Sequence, residues 1–171
     1  MKISYDEIRE AVRTLKNNDA KRIMKMIKPT DAFATVPVDA AFIGICSPST
    51  TYDLKNVSGW TGVEEYSSQM SVMEHEVGKL DEVRFVETTN AKVFAGAGSG
   101  SIDVHGTMII GQDFYGISRI AGAAMENIVK PLGSAGTADP LNQRQTQGWK
   151  ATFVAMILNE NTGLRLEHAV T

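Results

Sequence analysis

The chain is 171 residues long, 43% hydrophobic and 22% charged, with a formal net charge of -3. That length suits one domain of roughly 100–200 residues with room for a core, and the apolar fraction excludes an intrinsically disordered chain. No stretch approaches the ~20 apolar residues of a membrane span, the start lacks a signal-like apolar block, and 17 Lys and Arg without a basic run leave no footprint for nucleic acid.

The first element is a helix. Ser4 with Glu7 three residues on is a capping box, and Asp6 sits near the positive end of the helix dipole. Ile8, Val12 and Leu15 follow at helical spacing beside Ala11, while Arg9, Arg13 and Lys16 take the other face; the helix is expected to end near Asn17 and Asn18. Asp19 to Lys28 is basic and Met-rich, fits a short helix or an extended strand, and is read as a solvated connector. Pro29 to Pro37 reads as a loop. Ala40 to Cys46 is a short apolar run with β-branched residues, the pattern of a buried strand, and Ser47 with Pro48 then opens a helix as cap and first-turn residue. Cys46 is the single cysteine, so no intrachain disulfide forms and a small buried hydrophobe in a reducing compartment is expected.

Trp60 to Met73 reads as irregular or weakly helical. Val83, Phe85 and their charged neighbours Arg84 and Glu87 suggest a strand with one covered face. Ala95 to Ser101, rich in Gly and Ser, is expected to be mobile. Val104 to Ile110 is the next strand, 111–113 a turn, and Ile117 to Ile120 a further extended piece. From Ile128 two apolar strand-like segments flank a loop in which Gly133 and Gly136 permit positive φ, while Pro140 pushes Asp139 out of the helical region. The loop is expected to be ordered. Helices come early and strands late, which argues for an α+β fold rather than a doubly wound one.

Chemistry was weighed at each suggestive pattern. Gly96, Gly98 and Gly100 are spaced G-x-G-x-G with Ser101 next and no helical pattern after them, so a flexible loop fits better than a dinucleotide site. The loop from Gly133 to Gly136 lacks the Gly-Lys-Ser/Thr of a phosphate cradle. His75 lies between Glu74 and Glu76, but position 79 is Lys rather than a second His; His105 and His168 stand isolated in strand-like segments. There is no G-x-S-x-G elbow. No cofactor, metal site or catalytic residue is expected, and the chain reads as a non-enzyme. Asp139, Arg144 and Trp149 admit two readings. They fix the loop or meet a second subunit, Arg144 through its planar fork and Trp149 as an anchor; or Asp139 caps a turn, Arg144 is solvated and Trp149 is core.

The run Ile128-Val129-Lys130-Pro131-Leu132-Gly133-Ser134-Ala135-Gly136-Thr137-Ala138-Asp139-Pro140-Leu141-Asn142-Gln143-Arg144, followed by Gly148-Trp149-Lys150-Ala151-Thr152, resembles the C-terminal signature of a major capsid protein family of tailed bacteriophages, its podophage-like branch. The order Ser47-Pro48 then Tyr52-Asp53-Leu54 fits too, although the family often places His where this chain has Ser47. The resemblance implies the Hong Kong-type capsid fold, here its axial domain with part of the peripheral domain and without N-terminal arm, extended loop or spine helix. It covers Ser4 to Val170, with 1–127 expected to be axial-like and 128–171 to return as peripheral-like strands. Implied with it are a structural virion protein made in the host cytoplasm, other copies of itself as partners, and intact coat subunits or a scaffold as further ones, with no specific nucleic-acid site and no membrane. A ligand-binding or enzymatic α+β domain using the Gly-rich loops is the rival reading, and an accessory module binding intact coat subunits the third.

Overall fold

Ser4 starts the first helix by local hydrogen bonding: its hydroxyl accepts the Glu7 N–H at 3.4 Å and the Glu7 carboxylate accepts the Ser4 N–H at 2.9 Å. The computed structural model describes residues 2–23, 26–28, 36–66, 73–119 and 125–170, and this helix, α1, spans Tyr5–Asn17. Its apolar stripe buries Ile8, Ala11, Val12 and Leu15, as the helical spacing predicts.

The strands, in chain order, are β1 (Met26–Lys28), β2 (Val36–Val38), β3 (Phe42–Cys46), β4 (Thr61–Gly62), β5 (Glu76–Leu80), β6 (Val83–Glu87), β7 (Val93–Phe94), β8 (Val104–Ile110), β9 (Tyr115–Arg119), β10 (Glu126–Lys130), β11 (Thr146–Lys150), β12 (Phe153–Ile157) and β13 (Gly163–Ala169), with α2 at Pro48–Leu54. The chain divides into two units: a body of 1–114 with 159–171, and a hairpin of 115–158. These are units of contact; the axial-like and peripheral-like regions divided at residue 127 are an expectation of the capsid resemblance. β13 pairs along its whole length with β8, so the last strand belongs with the first part of the sequence and 128–158 does not.

The body is built on a sheet of order β13-β8-β3-β6-β5-β4, with β7 added to β8. β3 and β6 run parallel and the other pairs antiparallel. Side chains alternate along a strand, and the registers place Phe42 beside Val83, Gly44 beside both Phe85 and Ile109, and Leu164, Leu166 and His168 opposite Ile109, Thr107 and His105. This one face meets the buried residues of α1 and Leu54 of α2 in a single core. Gly44 is required there: a Cβ would stand 2.7 Å from the Phe85 ring, whose other neighbour is Trp60 at 5.8 Å between centroids.

Ser47 caps α2 by accepting the Thr50 N–H at 3.3 Å, with Pro48 at the first turn. Cys46 is fully buried, and burial pushes its thiol up to about 11, the state of an inert packing residue. The reading of 19–28 as connector is corrected in part, since Met26–Lys28 pairs with Val36–Val38; of the loop expected from Pro29 to Pro37, Val36 and Pro37 belong to that strand instead and 29–35 lie outside the described residues, as do 67–72 of the irregular segment. The Gly-rich loop is a hydrogen-bonded turn, in which Gly98 N–H donates to the Ile102 carbonyl and Gly96 N–H to the Asp103 carboxylate, each near 2.9 Å or less.

Within the core lies a polar layer. His105 Nδ1 and Ser47 Oγ are 3.0 Å apart, and Thr107 Oγ1 and His168 Nε2 2.9 Å apart. His168 is only 3% exposed, and burial above all, with the nearby His105, holds its pKa below the ordinary histidine value. The unfolded chain therefore takes up a proton at a higher pH than the folded one. Folding stability is expected to be lost as pH falls from about 6.5 toward the lower folded value. Thermal unfolding between pH 8 and 5 checks this: His168→Gln, which keeps a polar partner for Thr107, should flatten the acid side of the stability profile. An unchanged profile would contradict it.

Candidate interaction surface

The hairpin consists of two nested ladders. β9 pairs with β12, Tyr115 facing Ile157 and Arg119 facing Phe153, and β10 pairs with β11, Glu126 facing Lys150 and Lys130 facing Thr146. The two ladders do not share one register, so the ribbon is interrupted between them. A loop from Pro131 to Gln145 joins β10 to β11. Asp139 organises it: the residue is 8% exposed and its carboxylate accepts the Arg144 N–H at 2.7 Å, the Ala138 and Asp139 amides close a 3-10 turn, and Asn142 N–H donates to the Asp139 carbonyl at 3.1 Å. Gly133 and Gly136 take φ of +83° and +54°, the conformations their lack of a side chain permits. Asp139 and Arg144 thus meet through the main chain, and the Arg144 side chain is left exposed.

Trp149 is not a core residue of this chain; it is 75% exposed. It shares a face of the ribbon with Asn127, Val129 and Gln147, and the Gln147 amide donates to the Asn127 carbonyl oxygen at 3.3 Å. On the β9–β12 ladder Tyr115, Ile117, Phe153, Ala155 and Ile157 occupy one face by register. Phe153 is 67% exposed and Ile117 58%. Among the described residues of the hairpin Asp139 alone is buried. The sequence marked Trp149 but not the Tyr115–Phe153 face, because alternation in two short strands says which side chains share a side and not whether anything covers it.

An isolated two-stranded ribbon is marginal in water, since it cannot bury a face, and contiguous exposed apolar surface on a soluble protein marks a contact site. Both strands are also edges, open to further pairing. This surface can therefore do one thing well, which is to be covered by another macromolecule.

The other sequence candidates are placed elsewhere. His75 is exposed, 3.8 Å from Glu74. His105 and His168, isolated in sequence, are direct partners across the β8–β13 ladder; only the matching lengths of those two strands could have hinted at it. Among the described residues no group of three His, Cys, Asp or Glu could hold a metal ion, and no helix is long and apolar enough to cross a membrane.

No protein-family model and no curated protein matches the sequence. Solved structures similar in fold include the acidic stable capsid structure of Helicobacter pylori bacteriophage KHP30, with a TM-score of 0.57, and the head structure of Helicobacter pylori bacteriophage KHP40, with 0.54. Each is 10% identical and is matched over 99% of this chain. The chain spans about 60% of the length of those capsid chains. At that identity the likeness is one of fold: the chain has the α+β architecture found in phage capsid structures.

Proposed function

We propose that this chain is a structural coat subunit of a tailed phage, corresponding to the later part of a major capsid protein of the podophage-like branch. The observation that carries the reading is the hairpin of 115–158, whose described large apolar side chains are exposed and whose loop is specified by Asp139. A fold shared with phage capsid structures supports it. The body then corresponds to the axial domain with β13 as its edge strand, and the hairpin to the region that meets neighbours. Other copies of the chain are the partners, with a scaffold or intact coat subunits as further ones, and the virion is the destination. Asp139 acts by holding the loop, Arg144 and Trp149 by contacting the next subunit.

The mechanism is geometric. A hairpin of one copy that covers part of another makes a heterologous contact, which closes into rings when the rotation allows. Many modest contacts then sum to a stable shell. Light scattering over a concentration series, with electron microscopy of the same samples, tests this. The molar mass should rise with concentration and rings or larger particles should appear; a monomer at every concentration would overturn the reading.

A further inference from the structure

The hairpin and the body carry opposite charge. Residues 115–158 hold four basic side chains, Arg119, Lys130, Arg144 and Lys150, against the two acidic ones Glu126 and Asp139, a net of +2, so the rest of the -3 chain carries -5. Asp139 is buried and bonded within its loop. The part that bears Trp149, residues 126–150, holds Lys130, Arg144 and Lys150 against Glu126 and Asp139, a net of +1, with Glu126 directly opposite Lys150 on the ladder.

The body has a groove of complementary character beside β4, the last strand of its sheet. Its volume is about 480 Å3, and its lining includes Trp60, Gly62, Val63, Glu64, Glu65 and Val77, with Lys55 as the cation among them. Trp60 and Val77 are partly buried against the core. Glu64 and Glu65 are exposed. A Cβ added at Gly62 would meet nothing within 4 Å, so the backbone can be approached closely there. Glu76, which also lines the groove, is already engaged by Arg84 at 2.8 Å and by the Tyr66 hydroxyl at 2.9 Å, leaving Glu64 and Glu65 to meet an incoming cation.

We propose that the β10–β11 end of the hairpin of one copy seats in this groove of a second copy, with Trp149 and Val129 on its apolar floor and Lys130 and Lys150 against Glu64 and Glu65. This rests on the coat-subunit reading and adds the receiving surface. Trp149 and Val129 share one face of the ribbon. The two lysines project from the other together with Glu126, Lys130 at the β10 edge and Lys150 at the β11 edge, and a four-carbon stem carries an ammonium around an edge to a carboxylate at the rim. Opposite charge steers encounter and fixes orientation, while the aromatic anchor supplies most of the affinity.

The test mixes isotopically heavy and light copies of the full chain, joins Lys to Glu by carbodiimide, and maps the links by mass spectrometry. Heavy-to-light links from Lys130 or Lys150 to Glu64 or Glu65 are expected in the associated fraction. Lys130→Glu with Lys150→Glu should weaken association about tenfold at low salt, and Glu64→Lys with Glu65→Lys in the same chain should restore it. Association that persists with links only elsewhere would overturn this assignment and leave the coat reading standing. Links confined within single copies would overturn it too. Failure to associate under any condition would overturn both.

Discussion

Replacing Phe153 and Ile117 together by Asp leaves the body folded and abolishes association. The two side chains lie on the same face of the β9–β12 ladder and are largely exposed in the isolated chain, so the substitutions remove little packing from the subunit itself. What they remove is the surface available to a neighbour. A central apolar anchor is worth on the order of 2 kcal/mol or more in a contact, which is roughly 30-fold in a single contact constant, and the loss repeats at every copy in an assembly. Burying an uncompensated carboxylate adds to it. The expected readout is a monomer by light scattering with the thermal transition of the body retained. A variant that associates like the parent would place the contact surface elsewhere.

Phe85→Ala has the largest effect expected inside the body. The ring is fully buried, lies over Gly44 and touches Trp60, so truncation forfeits its burial and leaves a cavity, about 3–5 kcal/mol. Against a typical total of about 5–15 kcal/mol that is a large share, and denaturant unfolding should show a much lower midpoint. The close fit allows a sharper test. Gly44→Ala alone should cost about 1–3 kcal/mol by overpacking against the ring. Combined with Phe85→Leu, which opens space at that point, Gly44→Ala should cost less than in the parent, giving a coupling of about 0.5 kcal/mol or more. Strict additivity would mean that the ring and the glycine do not define one another.

Some of this was legible in residues whose effects are local. Ser4 with Glu7 and Ser47 with Pro48 announce helix starts through hydrogen bonds three residues long, and both helices begin there. The run to Cys46 and the alternation around Phe85 announce buried strands, and both are central. Asp139 before Pro140, between positive-φ glycines and Arg144, announces an ordered loop, which it is. What stayed hidden depends on pairing between distant segments. Nothing near Gly163 says that β13 returns to β8, so no local pattern shows that His105 and His168 pair. Trp149 illustrates the same limit. Size and apolarity favour burial, but burial needs a partner surface, and no local pattern tells whether that surface lies in the same chain.

On the coat-subunit reading, the hairpin is the surface through which copies of this chain meet. Amide hydrogen exchange, followed residue by residue in dilute and in concentrated associated samples, tests it most directly. Residues 115–119, 126–130 and 146–157 are expected to exchange quickly when dilute, as exposed two-stranded pairing should, and to become strongly protected on association, while the fully buried core of the body is unchanged. Association that protects the body surface and leaves the hairpin exchanging as fast as before would contradict it.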